Sequence, residues 1–311
     1  MTDACRAVGQ KWNMPMELAF DLCTLALYDV AIYADDSTSM KYAEGTFATT
    51  SKCQVISNRL SYHTVMHYHQ VTQFIKHTIK DGLSCHHTIT MSVLMFCYDY
   101  SAERLVSMTF TVGGERIKDL KAILSRVAEV ATLFDDDGLT VRFMNSSIGG
   151  NNIKSSAEAS ALVDRVKFEG MTPLGTNLDA KIIRPLFTVP LSKKALPKPI
   201  LVICITDGEP TGEPVDKVVT VIKEAKNLAT SSGYGPGSIA FEFAQVGKDQ
   251  AAQAFLARLD KHPAIGKMID ATSYYELEQE EYKRKGVNLT PDVWLVKLMV
   301  GAIDPSFDEQ D

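Results

Sequence analysis

The chain has no stretch that could cross a membrane as a helix. Its best candidate, Val293 to Ile303, carries Lys297 and is far shorter than the ~20 apolar residues such a span requires. The run from Leu18 to Leu27 contains Asp21 and follows Glu17, unlike the core of a signal peptide. Positive charge is not in excess: 32 basic against 38 acidic residues give a net charge of −6, so the sequence lacks the basic footprint of a nucleic-acid binder. The six cysteines, Cys5, Cys23, Cys53, Cys85, Cys97 and Cys204, form no C-x-x-C pair, which argues against a zinc ribbon or a dense disulfide framework. Free thiols in a reducing compartment are expected, with the cytoplasm as the default setting and the nucleus as its alternative. Several signatures of catalysis are missing as well. No Gly-x-Ser-x-Gly occurs, and GMTPLGT lacks the lysine of a phosphate-binding loop. Gly149 and Gly150 are adjacent rather than spaced as in a dinucleotide fingerprint, and His262 has no visible partner. These absences predict a protein that is not an enzyme.

What is present is an ordinary globular composition, 45% apolar and 23% charged over 311 residues. The organising stretch is Asp29 to Met40, DVAIYADDSTSM. A short apolar run, Val30 to Ala34, reads as a buried strand and ends in two aspartates and three hydroxyl residues. A second buried strand, Ile200 to Thr206, ends in Asp207-Gly208. Between and beyond them strands and helices alternate. A helix with Ile117, Leu120, Leu124 and Val127 on one face precedes the strand Leu139 to Met144. Ser155 with Glu158 forms a capping-box pattern, a helix is expected from Thr176 to about Phe187, and Pro190 to Pro199 reads as a linker. Later helices carry Val218, Ile222 and Ala225, then Gln250 to Leu259. A last one, capped by Thr290-Pro291, holds Trp294, which is expected in the core. The acidic run Glu276 to Glu281 reads as a solvated helix face. This alternation predicts a Rossmann-like α/β fold, a doubly wound, mostly parallel sheet with helices on both faces. Ligands of such sheets lie beyond the carboxyl ends of the strands, where Asp35 and Asp207 fall.

One segment breaks the pattern. Residues 46–113 hold six of the seven histidines and far exceed an ordinary strand-to-helix loop. They read as an insertion in a domain spanning 29–303, preceded by a lead-in at 1–28 and followed by an acidic tail at 304–311. Thr88 to Tyr98 and Leu105 to Val112 could pair as strands; a translated non-coding stretch is the other reading. His63, His67 and His69 could bind a transition metal but lie in no clean helical or strand pattern.

The loops after the strands supply hard oxygen donors: Asp35, Ser37 and Ser39 in D-x-S-x-S, Thr172 in GMTPLGT, and Asp207 in ITDGE. Carboxylates and hydroxyls of this kind suit Mg²⁺ or Mn²⁺ rather than zinc or copper. D-x-S-x-S alone is a weak signal, but the three motifs in this order resemble the metal-ion-dependent adhesion site of von Willebrand factor A (vWA) domains. The resemblance covers Asp29 to Met40 and about Gly114 to Asp270. It implies a doubly wound sheet with one short antiparallel edge strand. It also implies a metal held by Asp35, Ser37, Ser39, Thr172 and Asp207, whose open coordination position takes an acidic side chain from a protein partner. The expected function is therefore divalent-cation-dependent protein–protein interaction, with a metal-independent scaffold or a Mg²⁺-dependent hydrolase as alternatives. Thr38 stands where the family usually has glycine, and a reshaped loop is expected there because threonine tolerates positive φ badly.

Overall fold

A computed structural model of the chain describes residues 2–11, 14–41, 93–99, 104–110, 114–134, 137–284, 286 and 288–304. The strands are β1 Asp29–Ala34, β2 Val93–Asp99, β3 Arg104–Phe110, β4 Leu139–Phe143, β5 Gly149–Ile153, β6 Ile200–Thr206, β7 Ile239–Gln245 and β8 Ile269–Thr272. Six of them form one sheet in the order β5-β4-β1-β6-β7-β8, all parallel except β5, which runs antiparallel at the edge. This is the expected Rossmann-like α/β fold, with the short antiparallel edge strand included.

The helices are α1 Thr2–Lys11, α2 Met16–Asp21, α3 Glu115–Phe134, α4 Ser156–Arg165, α5 Leu174–Leu178, α6 Lys217–Ser231, α7 Gln250–Asp260, α8 Tyr275–Arg284 and α9 Pro291–Val300. They cover both faces of the sheet, and β1 shows why. Val30, Ile32 and Ala34 join a core with α1, α3, α4 and α9, while Ala31 and Tyr33 join a second core with α5, α6 and α7. Side chains alternate across a strand, so a strand buried on both faces must be apolar throughout. β6 obeys the same rule, with Leu201, Ile203 and Ile205 on the first side and Val202 and Cys204 on the second.

Local signals hold where caps were read. Ser155 accepts from Glu158 N at 3.2 Å, and Glu158 accepts from Lys154 N at 2.8 Å. Thr290 caps α9 through Val293 N at 3.3 Å. The expected linker from Pro190 differs. Helix continues from α5 through wide turns over Asp179–Thr188 and a last turn at Val189–Ser192. The wide turns hold Pro185, which cannot donate to an ordinary helical ladder, and Pro190 lies in the first turn of the final segment, where a missing N–H costs little.

The expectation of free thiols also fails in part. Cys5 on α1 and Cys23, just after α2, form a disulfide across Cα atoms 6.7 Å apart. α1 and α2 fold back on each other, a proximity that cysteine spacing did not reveal. Cys204 is a buried free thiol, as read.

Residues 45–113 form a compact unit separate from the rest. Its described residues are β2 and β3, which pair antiparallel with Val93 opposite Phe110 and Asp99 opposite Arg104. His63, His67 and His69 lie outside the described residues. In the larger unit, Gly114 N donates to Lys41 O at 3.4 Å, so the chain resumes beside the point where it left. Among the described residues no helix is long and apolar enough to cross a membrane.

Candidate metal centre

Asp35 and Asp207 emerge side by side because β1 and β6 are parallel neighbours, with Ala34 opposite Ile205. Asp35 N donates to Ile205 O at 2.8 Å, which carries the pairing one residue past the strand. Both carboxylates are enclosed, at 0% and 1% exposure. Asp35 Oδ1 accepts from Ser37 N at 2.8 Å and Oδ2 from the Thr206 hydroxyl at 2.7 Å. The Ser37 and Ser39 hydroxyls lie 2.9 Å apart, and Ser39 donates to Asp207 Oδ1 at 2.9 Å. Asp207 Oδ2 takes Arg116 Nη1 at 2.5 Å, and that guanidinium is itself nearly buried at 9% side-chain exposure.

The second loop is tied to both others. Thr38 N and its hydroxyl donate to Gly170 O at 3.1 and 3.2 Å, and the hydroxyl accepts from Gly170 N at 3.1 Å. Thr172 N donates to the Thr211 hydroxyl at 2.8 Å, and Thr211 N returns a bond to Thr172 O at 3.0 Å. Glu213 accepts from Gly175 N at 2.6 Å and Thr176 N at 2.8 Å, satisfying amides that begin α5. Each pair of loops is thus joined directly, the first to the second through Thr38 and Gly170 and the second to the third through Thr172 and Thr211. The Thr172 hydroxyl takes part in none of these bonds.

Thr38 does not take up a positive φ. Among the described residues Asn152 and Lys194 are the non-glycine residues with positive φ, so Thr38 is not strained. Its turn is a tight helical one, Thr38–Lys41, and its hydroxyl does what a glycine could not: it staples the first loop to the second.

Burial first, and then the charge of Asp207, raise the Asp35 carboxyl to about 7 against the lowering bonds from Ser37 and Thr206. Burial likewise raises Asp207, while the Arg116 charge and hydrogen bond and the bond from Ser39 oppose it. Two enclosed carboxylates beside the Ser37 and Ser39 hydroxyls are a donor set whose negative charge is costly without a cation. Such donors fit a hard divalent ion, which Asp35, Ser37, Ser39 and Asp207 could hold, with Thr172 on the adjoining loop. Arg116 already offers part of the counter-charge. Among the described residues no group of three or more His, Cys, Asp or Glu is arranged to hold a metal.

Several contributors were missed from sequence. Asp36 accepts from Asn145 N at 2.6 Å and Ser146 N at 2.7 Å, fixing the end of β4 beside the first loop. Thr206, Thr211 and Glu213 brace the loops. Arg116 was legible in principle: it stands four residues before Leu120 and eight before Leu124, on the apolar stripe of α3. Glu209 is an exposed loop residue. A comparison with protein-family models matched none of them, and one with curated proteins likewise returned no match.

Proposed function

We propose that the chain is a non-catalytic interaction module of the vWA type, in which Mg²⁺ or Mn²⁺ held at the rim of the sheet bridges to an acidic side chain of a protein partner. The supporting observation is the mutual lacing of three separate loops around two enclosed carboxylates and the hydroxyls of Ser37 and Ser39. Neutral hydroxyl donors leave a dication electrophilic, so it retains attraction for one more carboxylate from outside. The ion would supply that electrostatic bridge. The residues of this chain orient it and keep its remaining face open to the partner. The proposed setting is cytoplasmic or nuclear, where the Cys5–Cys23 bridge would be exposed to reduction.

A second reading, favoured by the Arg116–Asp207 pair, is a metal-independent scaffold in which the guanidinium replaces the ion. One experiment separates them. Mg²⁺ should raise the melting temperature by linkage, and Asp35→Ala should remove the rise. A partner captured from an extract should be lost in EDTA. No thermal response in the unmutated chain, with capture unaffected by EDTA, decides for the scaffold. Turnover of a phosphoester, lost in Asp207→Ala, would instead support a hydrolase.

A further inference from the structure

A second group of buried polar residues lies away from the metal loops, where α9 packs on the sheet. β7 and β8 are parallel neighbours with Glu242 opposite Asp270. Alternation turns Glu242 to the side of Ala240 and Ala244, into the core that α9 covers, and Thr272 follows Asp270 on the same side of β8. All three are buried, as are Lys297 on α9 and Glu278 on α8. Lys297 pairs with Glu278 at 3.4 Å, and Glu278 also accepts from Ser273 N at 2.8 Å. Neither oxygen of Glu242, nor the Thr272 hydroxyl, has a hydrogen-bond partner. Gly301, directly after α9, sits on the group. A Cβ there would collide with Asp270 Oδ2 and stand 3.2 Å from Glu242 Oε2, so both carboxyls meet under one backbone position.

Two adjacent buried carboxylates cannot both ionise cheaply. A proton is the counter-charge that takes no space, and it turns one carboxyl into a donor for the other. Burial first, and then the charge of Asp270, already raise Glu242, with Lys297 opposing. Among the described residues the ionisable groups that reach Glu242 are Asp270 from β8, Lys297 from α9 and Cys204 from β6, a buried thiol. Glu278 from α8 acts through Lys297, and the turn Gly301–Ile303 adds no ionisable side chain.

We propose that Glu242 and Asp270 hold one proton between them, and that this proton clamps the C-terminal end of α9 to the sheet until rising pH removes it and frees Gly301–Ile303. The protonated carboxyl donates to the ionised one. Deprotonation sends the proton to water and leaves two carboxylates side by side, whose repulsion is relieved when the end of α9 lifts and water enters. Above the ordinary carboxylate range the closed end holds a proton that the open end does not, so closure weakens as pH rises. The first turn of α9 is held otherwise. Trp294, expected in the core, is half-buried at its edge and donates its indole N–H to Ser273 O at 3.0 Å, a bond that does not titrate.

The test is amide hydrogen exchange of the full chain in EDTA, from about pH 5 to pH 8, corrected for intrinsic rates. The reporters are the Gly301 amide, bonded to Lys297 O, and the Asp304 amide, bonded to Val300 O at 2.8 Å. Both should open more readily than the amides of α6, on the opposite face, and their opening should rise about tenfold per pH unit, the slope of one released proton. Glu242→Gln replaces the shared proton with an amide donor to Asp270, so the slope should vanish with the reporters still protected at pH 8. Asp270→Asn makes the same bond from the other side and should behave alike, and the slope of the unmutated chain is read without either variant. Reporters with no pH slope, a slope that survives in both variants, or reporters that open only with α6 overturn the proposal. Protection restored at pH 8 by KCl but not by choline chloride would put a cation in the pair and overturns it too. EDTA is present throughout and the pair shares no residue with the metal loops, so these results are independent of the metal reading.

Discussion

Replacing Arg116 by methionine separates the two sources of positive charge at the centre of the site. Methionine keeps much of the aliphatic volume on the buried face of α3 and removes the guanidinium that lies 2.5 Å from Asp207. Both partners of the pair are nearly enclosed, so solvent cannot take over. Breaking a buried pair on one side costs about 3–5 kcal/mol, because the remaining charge stays desolvated. At roughly 2–4 °C per kcal/mol for a domain of comparable size, the melting temperature in EDTA should fall by about 10 °C. The loss should be smaller in acid: burial already raises the Asp207 carboxyl, and the orphaned acid can take a proton there. A folded-state carboxyl raised above its unfolded value favours folding at low pH, and that advantage is lost as pH rises. Saturating Mg²⁺ should then restore more to the variant than to the unmutated chain, since the ion becomes the sole counter-charge; at a hundred times its Kd an ion contributes about 2.7 kcal/mol. Differential scanning fluorimetry with and without Mg²⁺ at pH 5.5 and pH 8 reads all of this. A variant as stable as the parent in EDTA, or one that gains no more from Mg²⁺, would refute the reasoning.

Other perturbations probe the frame around the site. Thr38→Val removes both hydroxyl bonds with Gly170 and should cost about 1 kcal/mol while blunting the response to Mg²⁺, measurable in the same thermal scans. At Gly175 a Cβ would stand 2.5 Å from Val218 N and 2.7 Å from Lys217 C, both backbone atoms, so Gly175→Ala should displace the start of α6 and cost about 1–3 kcal/mol by urea denaturation. Burial and the neighbouring Asp270 raise Glu242 well above its ordinary 4.5. The folded chain then binds more protons than the unfolded one, so this residue's contribution falls as pH rises from about 4.5 toward its folded value. Glu242→Gln should flatten that slope in urea midpoints; an unchanged slope would assign it elsewhere. Cys5 and Cys23 are 18 residues apart, and opening the bridge with dithiothreitol should cost about 3 kcal/mol by loop entropy, seen as a lower melting temperature.

The sheet was readable because β1 and β6 are buried on both sides, which leaves an unbroken apolar run that no surface helix would show. The donor residues were readable because they follow those runs directly. What escaped was whatever depended on partners distant in sequence. Arg116, Lys297 and Glu278 are charged residues within helices, and charge ordinarily reads as solvent exposure. Lys297 is 1% exposed and pairs with Glu278 at 3.4 Å, which is why the acidic run of α8 is only partly a solvated face. In Arg116 and Lys297 the telling mark was a charge in step with apolar neighbours. The role of the Thr38 hydroxyl escaped for the same reason: the amide and carbonyl of Gly170 that it meets lie 132 residues away.

The contact between Lys41 and Gly114 makes the intervening sequence a parenthesis. The chain returns there beside the end of the first loop, and the Asp35–Asp207 pairing is carried by β1 and β6, outside that passage. A passage whose two ends meet at one hydrogen bond is where a foreign sequence would be grafted to make this chain a display scaffold.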